Sequence, residues 1–313
     1  MLSAVAMTAL ATGCLVSACM GGGGSGSDPT PSSSSSSPAA AGTTSAAASG
    51  ASPAAAASPA PASAATGATP PAAGQATAPP AATVAAPGSN ATGVLIPLYT
   101  VPSDPSWAAV EAAKTAHPSV PIVAVVNPAN GPGPAADAGY TAGIDRLVAA
   151  GVKVLGYVRT AYGSRLTADD QADINAWHSF YPAVTGIFFD EQANTPGHEA
   201  YYRDLSAYAK AHGLDFTVGN PGADAAASYV GSVDVLLIYE SPGLPSLSFL
   251  GGWHAGYDRH NFGIIPYGCA SFDPAYVQEA RLHVGYVYVQ SDTMPNPWDS
   301  VPAYLDGLVA SLQ

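Results

Sequence analysis

Eight short apolar runs alternate with amphipathic segments between residues 93 and 313, and this alternation constrains the fold more than any other feature of the chain. The runs cover 94–99, 122–126, 152–158, 186–189, 214–218, 233–239, 262–267 and 284–289. They are nearly continuous in apolar character instead of alternating with polar residues. Strands that read this way are buried on both faces, as in a parallel sheet covered by helices. The segments between them carry helix signals. Residues 107–114 and 201–210 are amphipathic, and 144–150 stops at Gly151, a suitable position for a left-handed helix end. Thr167-Ala168-Asp169-Asp170 has the form of a capping box opening a helix through Trp177. Eight strands alternating with helices over one medium-sized domain predict an α/β fold, a (β/α)8 TIM barrel. A doubly wound open sheet is the alternative.

Composition divides the chain. Residues 20–92 contain no Lys or Arg and a single acid, Asp28; they are built from Ala, Ser, Pro, Thr and Gly. Such a stretch has no aliphatic face whose burial could offset the entropy of ordering it, so a flexible linker is expected over 19–92. Residues 1–18 are small and apolar, too short to span a membrane comfortably but suited to a signal peptide. Val16-Ser17-Ala18-Cys19 resembles a bacterial lipobox. It predicts cleavage before Cys19 and lipidation of that cysteine. The expected location is therefore the cell surface, with a lipid anchor as the sole membrane contact.

All nine basic residues fall within 93–313, with every acid except Asp28, and the formal net charge is −13. Phosphate backbones need clustered Lys and Arg, so nucleic acid is excluded as a partner. A neutral or cationic substrate fits the charge. Cys269 is the one cysteine of the domain, which rules out an internal disulfide and a cysteine zinc site. None of the seven histidines shows a metal-ligand spacing, so no metal and no cofactor are expected. No Gly-x-Ser-x-Gly elbow is present, which weighs against a serine esterase.

Barrel enzymes place their chemistry at the C-terminal ends of the strands. The residues there are Tyr99, Asn127, Arg159, Asp190 with Glu191, Asn220, Glu240, Tyr267, and Gln290 with Asp292. A ring of amides, phenols, carboxylates and a guanidinium suits a sugar, dense in hydroxyls. Tyr239 would add an apolar neighbour to Glu240, and Trp253 and Trp298, in later loops, could stack on sugar rings. A carboxylate directly after a buried strand is costly to desolvate unless it is paired or used. Asp190 and Glu240 follow the fourth and sixth runs and could face each other across the mouth. Glycoside hydrolysis needs such a pair. In an extended strand adjacent Asp190 and Glu191 point to opposite sides, so one reacts and the other supports it. Trp107 and Trp177 belong to helices and read as core.

Val94-Leu95-Ile96-Pro97-Leu98-Tyr99, Asn127-Pro128-Ala129-Asn130-Gly131-Pro132-Gly133, Gly186-Ile187-Phe188-Phe189-Asp190-Glu191 and Asn296-Pro297-Trp298-Asp299-Ser300 together resemble the spherulin-4 family, in order and across 93–313. That family is similar to glycoside hydrolase family 135. The resemblance implies a (β/α)8 barrel that cleaves α-1,4-linked N-acetylgalactosamine in a galactosamine-rich exopolysaccharide of the biofilm matrix. It implies an Asp-Glu pair and a later Glu at the active site, which fall on Asp190, Glu191 and Glu240. On this reading Asp190 is the nucleophile and Glu240 the general acid/base, with Glu191 in support; exchange of the first two roles is open. The expected protein acts as a monomer on its polysaccharide. The alternative is a carbohydrate-binding surface protein without activity, or a hydrolase of another surface glycan.

Overall fold

A computed structural model describes residues 90–313. The expected signal peptide, Cys19 and nearly all of the linker lie outside them. The apolar runs form eight strands: β1 Val94–Leu98, β2 Ile122–Val126, β3 Lys153–Arg159, β4 Gly186–Asp190, β5 Phe216–Asn220, β6 Val235–Tyr239, β7 Phe262–Ile264 and β8 Tyr286–Val287. Each pairs in parallel with the next. Gly93, just ahead of β1, closes the ring against β8: its N–H donates to Gly285 O at 2.9 Å, and Val287 N–H donates to Gly93 O at 3.0 Å. A doubly wound sheet would leave two free edges, so this closure decides for the barrel. Among the described residues no helix is long and apolar enough to cross a membrane.

The strand bodies are buried, as continuous apolar runs require; β1, β2 and β4 are buried at every position. Helices α1 Pro105–Ala116, α2 Ala138–Ala149, α3 Thr167–Phe180 and α4 Glu199–Ala211 follow the first four strands. The shorter α5 Leu247–Leu250, α6 Pro274–Ala280 and α7 Leu305–Ala310 follow the last three. Asp104 and Asp137 cap α1 and α2 by accepting from Ser106 and Tyr140 N–H. Gly151 ends α2 at φ +92°, as its position predicts. The expected capping box is absent. Thr167 is already inside α3, and Leu166 precedes it without a side-chain cap. Asp170 turns inward instead, fully buried against Arg165 at 3.0 Å and the Tyr201 hydroxyl. A charge-assisted pair in the interior outweighs one cap bond at a helix end.

Most strands differ from their runs by a residue or two at an end, and three differ most. The fifth begins and ends two residues later than the 214–218 run. The seventh and eighth are shorter, although single backbone bonds continue beyond them, from Tyr288 N–H to Ile264 O and from Gln290 N–H to Pro266 O. Between β6 and β7 the register slips, so Leu237 faces Gly263 while Tyr239 faces Ile264. This bulge re-aims the chain directly before Glu240.

Trp107 and Trp177 are both fully buried. Gly156 in β3 lies directly under the Trp177 indole, where a Cβ would overlap the ring. Gly156→Ala is expected to lower stability by about 2–3 kcal/mol through this overpacking. A urea titration followed by circular dichroism measures it, as a lower midpoint at unchanged slope.

At the opposite end of the barrel, Asn90–Thr92 and the terminal Leu312 and Gln313 line a recess with Arg259 and Arg281. The Arg259 guanidinium donates to Thr92 Oγ1 at 2.7 Å, to the carbonyls of Arg281 and Val284 at 3.1 Å, and to Asn90 O. It clamps the incoming chain to the segment that leads into β8.

Candidate functional site

Strand order brings the carboxylates together. β5 lies between β4 and β6, and Asp190 is in register with Asn220. Asn220 thus ends its strand beside the Asp190 side chain and one strand away from Glu240. Its amide nitrogen donates to Asp190 Oδ1 at 2.8 Å and to Glu240 Oε2 at 2.7 Å. Bonds of these lengths to one nitrogen keep the two oxygens within about 5.5 Å of each other. The Asn220 oxygen accepts from Gly222 N–H at 3.1 Å, which fixes the amide orientation.

The remaining carboxylate oxygens also have assigned donors. Tyr157, an inward-facing residue of β3, donates its hydroxyl to Asp190 Oδ2 at 2.7 Å. Trp298, in the loop after β8, donates its indole N–H to Glu240 Oε1 at 3.1 Å. Tyr99 stands just past β1 with its ring edge-on to Tyr157, centroids 5.7 Å apart. Tyr267 meets Trp298 edge-on at 6.2 Å.

These surroundings set the proton affinities. Burial pushes Glu240 up to about 7, the Asp190 charge adds to the rise, and the Asn220 and Trp298 donors oppose it. Burial also raises Asp190, but three donors favour its charged form: the Tyr157 hydroxyl, the Glu191 backbone and the Asn220 amide. Burial, with Asp190, Tyr157 and Glu240 close by, holds the Tyr99 phenol well above its ordinary range.

Glu191 does not continue the strand. Its φ is +51°, a left-handed conformation that costs a non-glycine residue about 1–3 kcal/mol. The turn brings its carboxylate back to Arg159, Nε to Oε1 at 2.9 Å. The outward orientation expected of an extended strand is replaced by an ion pair on the rim.

Other predicted positions have local tasks. Asn127 accepts from Gly131 N–H at 2.8 Å and shapes the loop after β2. Gln290 is fully buried: its amide donates to Ser300 O at 2.8 Å and its oxygen accepts from Ser291 N–H at 2.7 Å. Asp292 accepts from the Ser300 hydroxyl. Both tie the loop after β8 to itself. Tyr239 precedes Glu240 and so points to the other face, packing edge-on to Phe249 at 5.9 Å. Trp253 donates to Asp224 Oδ2 at 3.1 Å and packs on His254, centroids 4.1 Å apart. It joins the loops after β5 and β6. Arg259 is at the far end of the barrel, and Cys269 is a buried thiol whose proton affinity is raised by burial. Among the described residues no group of three or more His, Cys, Asp or Glu side chains is placed to hold a metal.

Sequence reasoning missed Tyr157 and the contact that Trp298 makes. Strand parity offered a signal for the first: Tyr157 is two residues before Arg159 and shares its face. Trp298 belongs to an irregular loop, and nothing local indicates that its indole reaches Glu240.

Comparison with known proteins agrees with this architecture. Sph3 of Aspergillus clavatus, solved in complex with GalNAc, superposes with a TM-score of 0.64 at 24% identity, covering 71% of this chain and 97% of that one. Its similarity shows the shared barrel fold. Spherulin-4 of Physarum polycephalum is 36% identical over 154 residues, which are 48% of this chain and 45% of the relative. The match thus spans less than half of that relative's length. The model of the spherulation-specific family 4, Spherulin4, matches residues 93–312, the whole barrel from its closing glycine onward, and the chain belongs to that family.

Proposed function

We propose that the protein is a glycoside hydrolase that cleaves α-1,4-linked N-acetylgalactosamine or galactosamine polymers by double displacement. One observation carries the reading: a single Asn220 nitrogen holds both Asp190 and Glu240, with oxygens within the roughly 5.5 Å that a retaining pair uses. The GalNAc bound to the similarly folded Sph3 supports the sugar class.

Glu240, protonated up to about pH 7, gives its proton to the glycosidic oxygen as that bond breaks. The Asp190 carboxylate attacks the anomeric carbon, and the shortened chain departs as an alcohol. The Asn220 and Tyr157 donors stabilise the charged form of Asp190 for this attack, against the rise that burial gives it. Glu240, now a carboxylate, removes a proton from water. The water oxygen bonds to the anomeric carbon and Asp190 leaves unchanged. Two inversions give net retention. Glu191 supports the site through Arg159. The lipobox ending at Cys19 supports a form anchored at the cell surface.

The test uses the full chain and a partially acetylated α-1,4-galactosaminan, with products read by mass spectrometry and proton NMR. Oligosaccharides whose new reducing ends appear first as the α anomer are expected. First appearance of the β anomer would reject double displacement. Retention of polymer without cleavage would favour a binding protein.

A further inference from the structure

The loop after β3 carries a feature that the carboxylate chemistry does not use. Ala161 and Tyr162 adopt φ of +47° and +57°, left-handed conformations that side chains rarely take. Tyr162 is nevertheless 60% exposed. A left-handed position is normally filled by Gly or Asn, and a buried ring could compensate for the strain by packing. An exposed ring cannot, so packing does not explain a tyrosine there. Strain kept at an exposed side chain points to a use for that side chain.

The loop is also braced. Tyr162 N–H donates to Glu191 O at 2.6 Å, Gly163 N–H donates to Thr160 O at 3.0 Å, and Arg165 donates to Arg159 O at 3.0 Å. His198 of the following loop packs against Gly163. These ties hold Tyr162 next to the residue that follows Asp190. That backbone bond to Glu191 places Tyr162 on the carboxylate side of the rim, where its phenol is raised by burial and then by the charges of Glu191, Asp190 and Glu240. Leu166, 70% exposed, extends the apolar surface of the same loop.

We propose that Tyr162 is the platform of an additional sugar subsite, stacking on the apolar C–H face of a pyranose that lies beyond the pair at the cleavage point, with the Arg159–Glu191 ion pair facing its hydroxyls. The inference rests on the glycosidase reading and adds to it a subsite for a polymeric substrate. Aromatic rings are suited to this because a pyranose presents C–H groups on one face and hydroxyls at its edge.

The test measures calorimetric binding of α-1,4-linked N-acetylgalactosamine disaccharide and hexasaccharide to the full chain carrying Glu240→Gln, which prevents turnover. Tyr162→Asn is then added; asparagine tolerates the left-handed backbone, so the loop keeps its shape. Tyr162→Phe keeps the ring. The hexasaccharide is expected to bind the parent more tightly than the disaccharide. Tyr162→Asn should weaken it about five- to tenfold and remove most of the difference, while Tyr162→Phe stays within about twofold. Undiminished hexasaccharide binding by Tyr162→Asn would overturn the subsite and leave the glycosidase reading standing. Equal weakening of both sugars would place the ring at the central site and also overturn it. Absence of sugar binding by the parent would overturn both readings.

Discussion

Glu240→Gln is expected to lower turnover on galactosaminan by about a thousandfold or more, because the leaving oxygen loses its proton donor. The wild-type pH profile should carry the signature of the same group. Glu240 must be protonated to act as the acid, and burial together with the Asp190 charge pushes it up to about 7. In the free protein, kcat/KM should therefore fall as pH rises through about 7. Stability has a matching dependence. The folded pKa is raised, so the stability that proton uptake contributes is fully present below the ordinary value of 4.5 and is lost as pH rises through about 7. Glutamine carries no such charge. The melting temperature of the wild type should fall relative to Glu240→Gln between pH 5 and 8, by an amount equivalent to about 2 kcal/mol. Parallel thermal melts across that range measure it. A constant difference would show that Glu240 ionises normally in the fold.

Asp190→Ala should reduce turnover even further, by about 10⁴-fold, since the covalent route loses its nucleophile. Azide separates the roles of the two carboxylates. In Asp190→Ala, azide can take the place of the missing carboxylate and displace the leaving group once. The product is then a glycosyl azide of inverted configuration. In Glu240→Ala, a substrate with a good leaving group still forms the Asp190 ester, which azide attacks in the second step, so the azide product is retained. Proton NMR of the two products reads the configuration directly. The opposite pairing would exchange the roles of Asp190 and Glu240. Burial raises both groups, and the present assignment rests on the donors: Asp190 accepts from the Tyr157 hydroxyl, the Glu191 backbone and the Asn220 amide, while Glu240, with the Asn220 and Trp298 donors alone, is pushed up to about 7.

The barrel was legible because its signal is one-dimensional. A strand covered on both faces must be apolar throughout, and β1, β2 and β6 read directly from that rule. The place of the carboxylates was legible for the same reason, since a strand end is where an apolar run turns polar. The use of each polar group was not. Gln290 and Asp292 follow an apolar run as Asn220 does, yet their side-chain hydrogen bonds go to Tyr288, Ser291 and Ser300 of their own segment. Whether a loop satisfies such a side chain depends on its folded path, which the pattern of residue types does not encode. Tyr157 was hidden because a tyrosine inside an apolar strand reads as core; parity with Arg159 marks its face, but only the folded side chain shows its hydroxyl reaching Asp190. Tyr162 was hidden because its distinguishing property is a backbone angle.

The recess that Arg259 shares with Asn90–Thr92 and Gln313 gives the barrel a back and a front. The first and last described residues meet at the N-terminal ends of the strands, while Asp190, Asn220 and Glu240 face out from the other end. A bead, sensor chip or fusion partner joined at either of those two residues would be held behind the barrel. The cleft would then look away from the support, as a probe head looks away from its cable, and a long polymer could lie across it unobstructed.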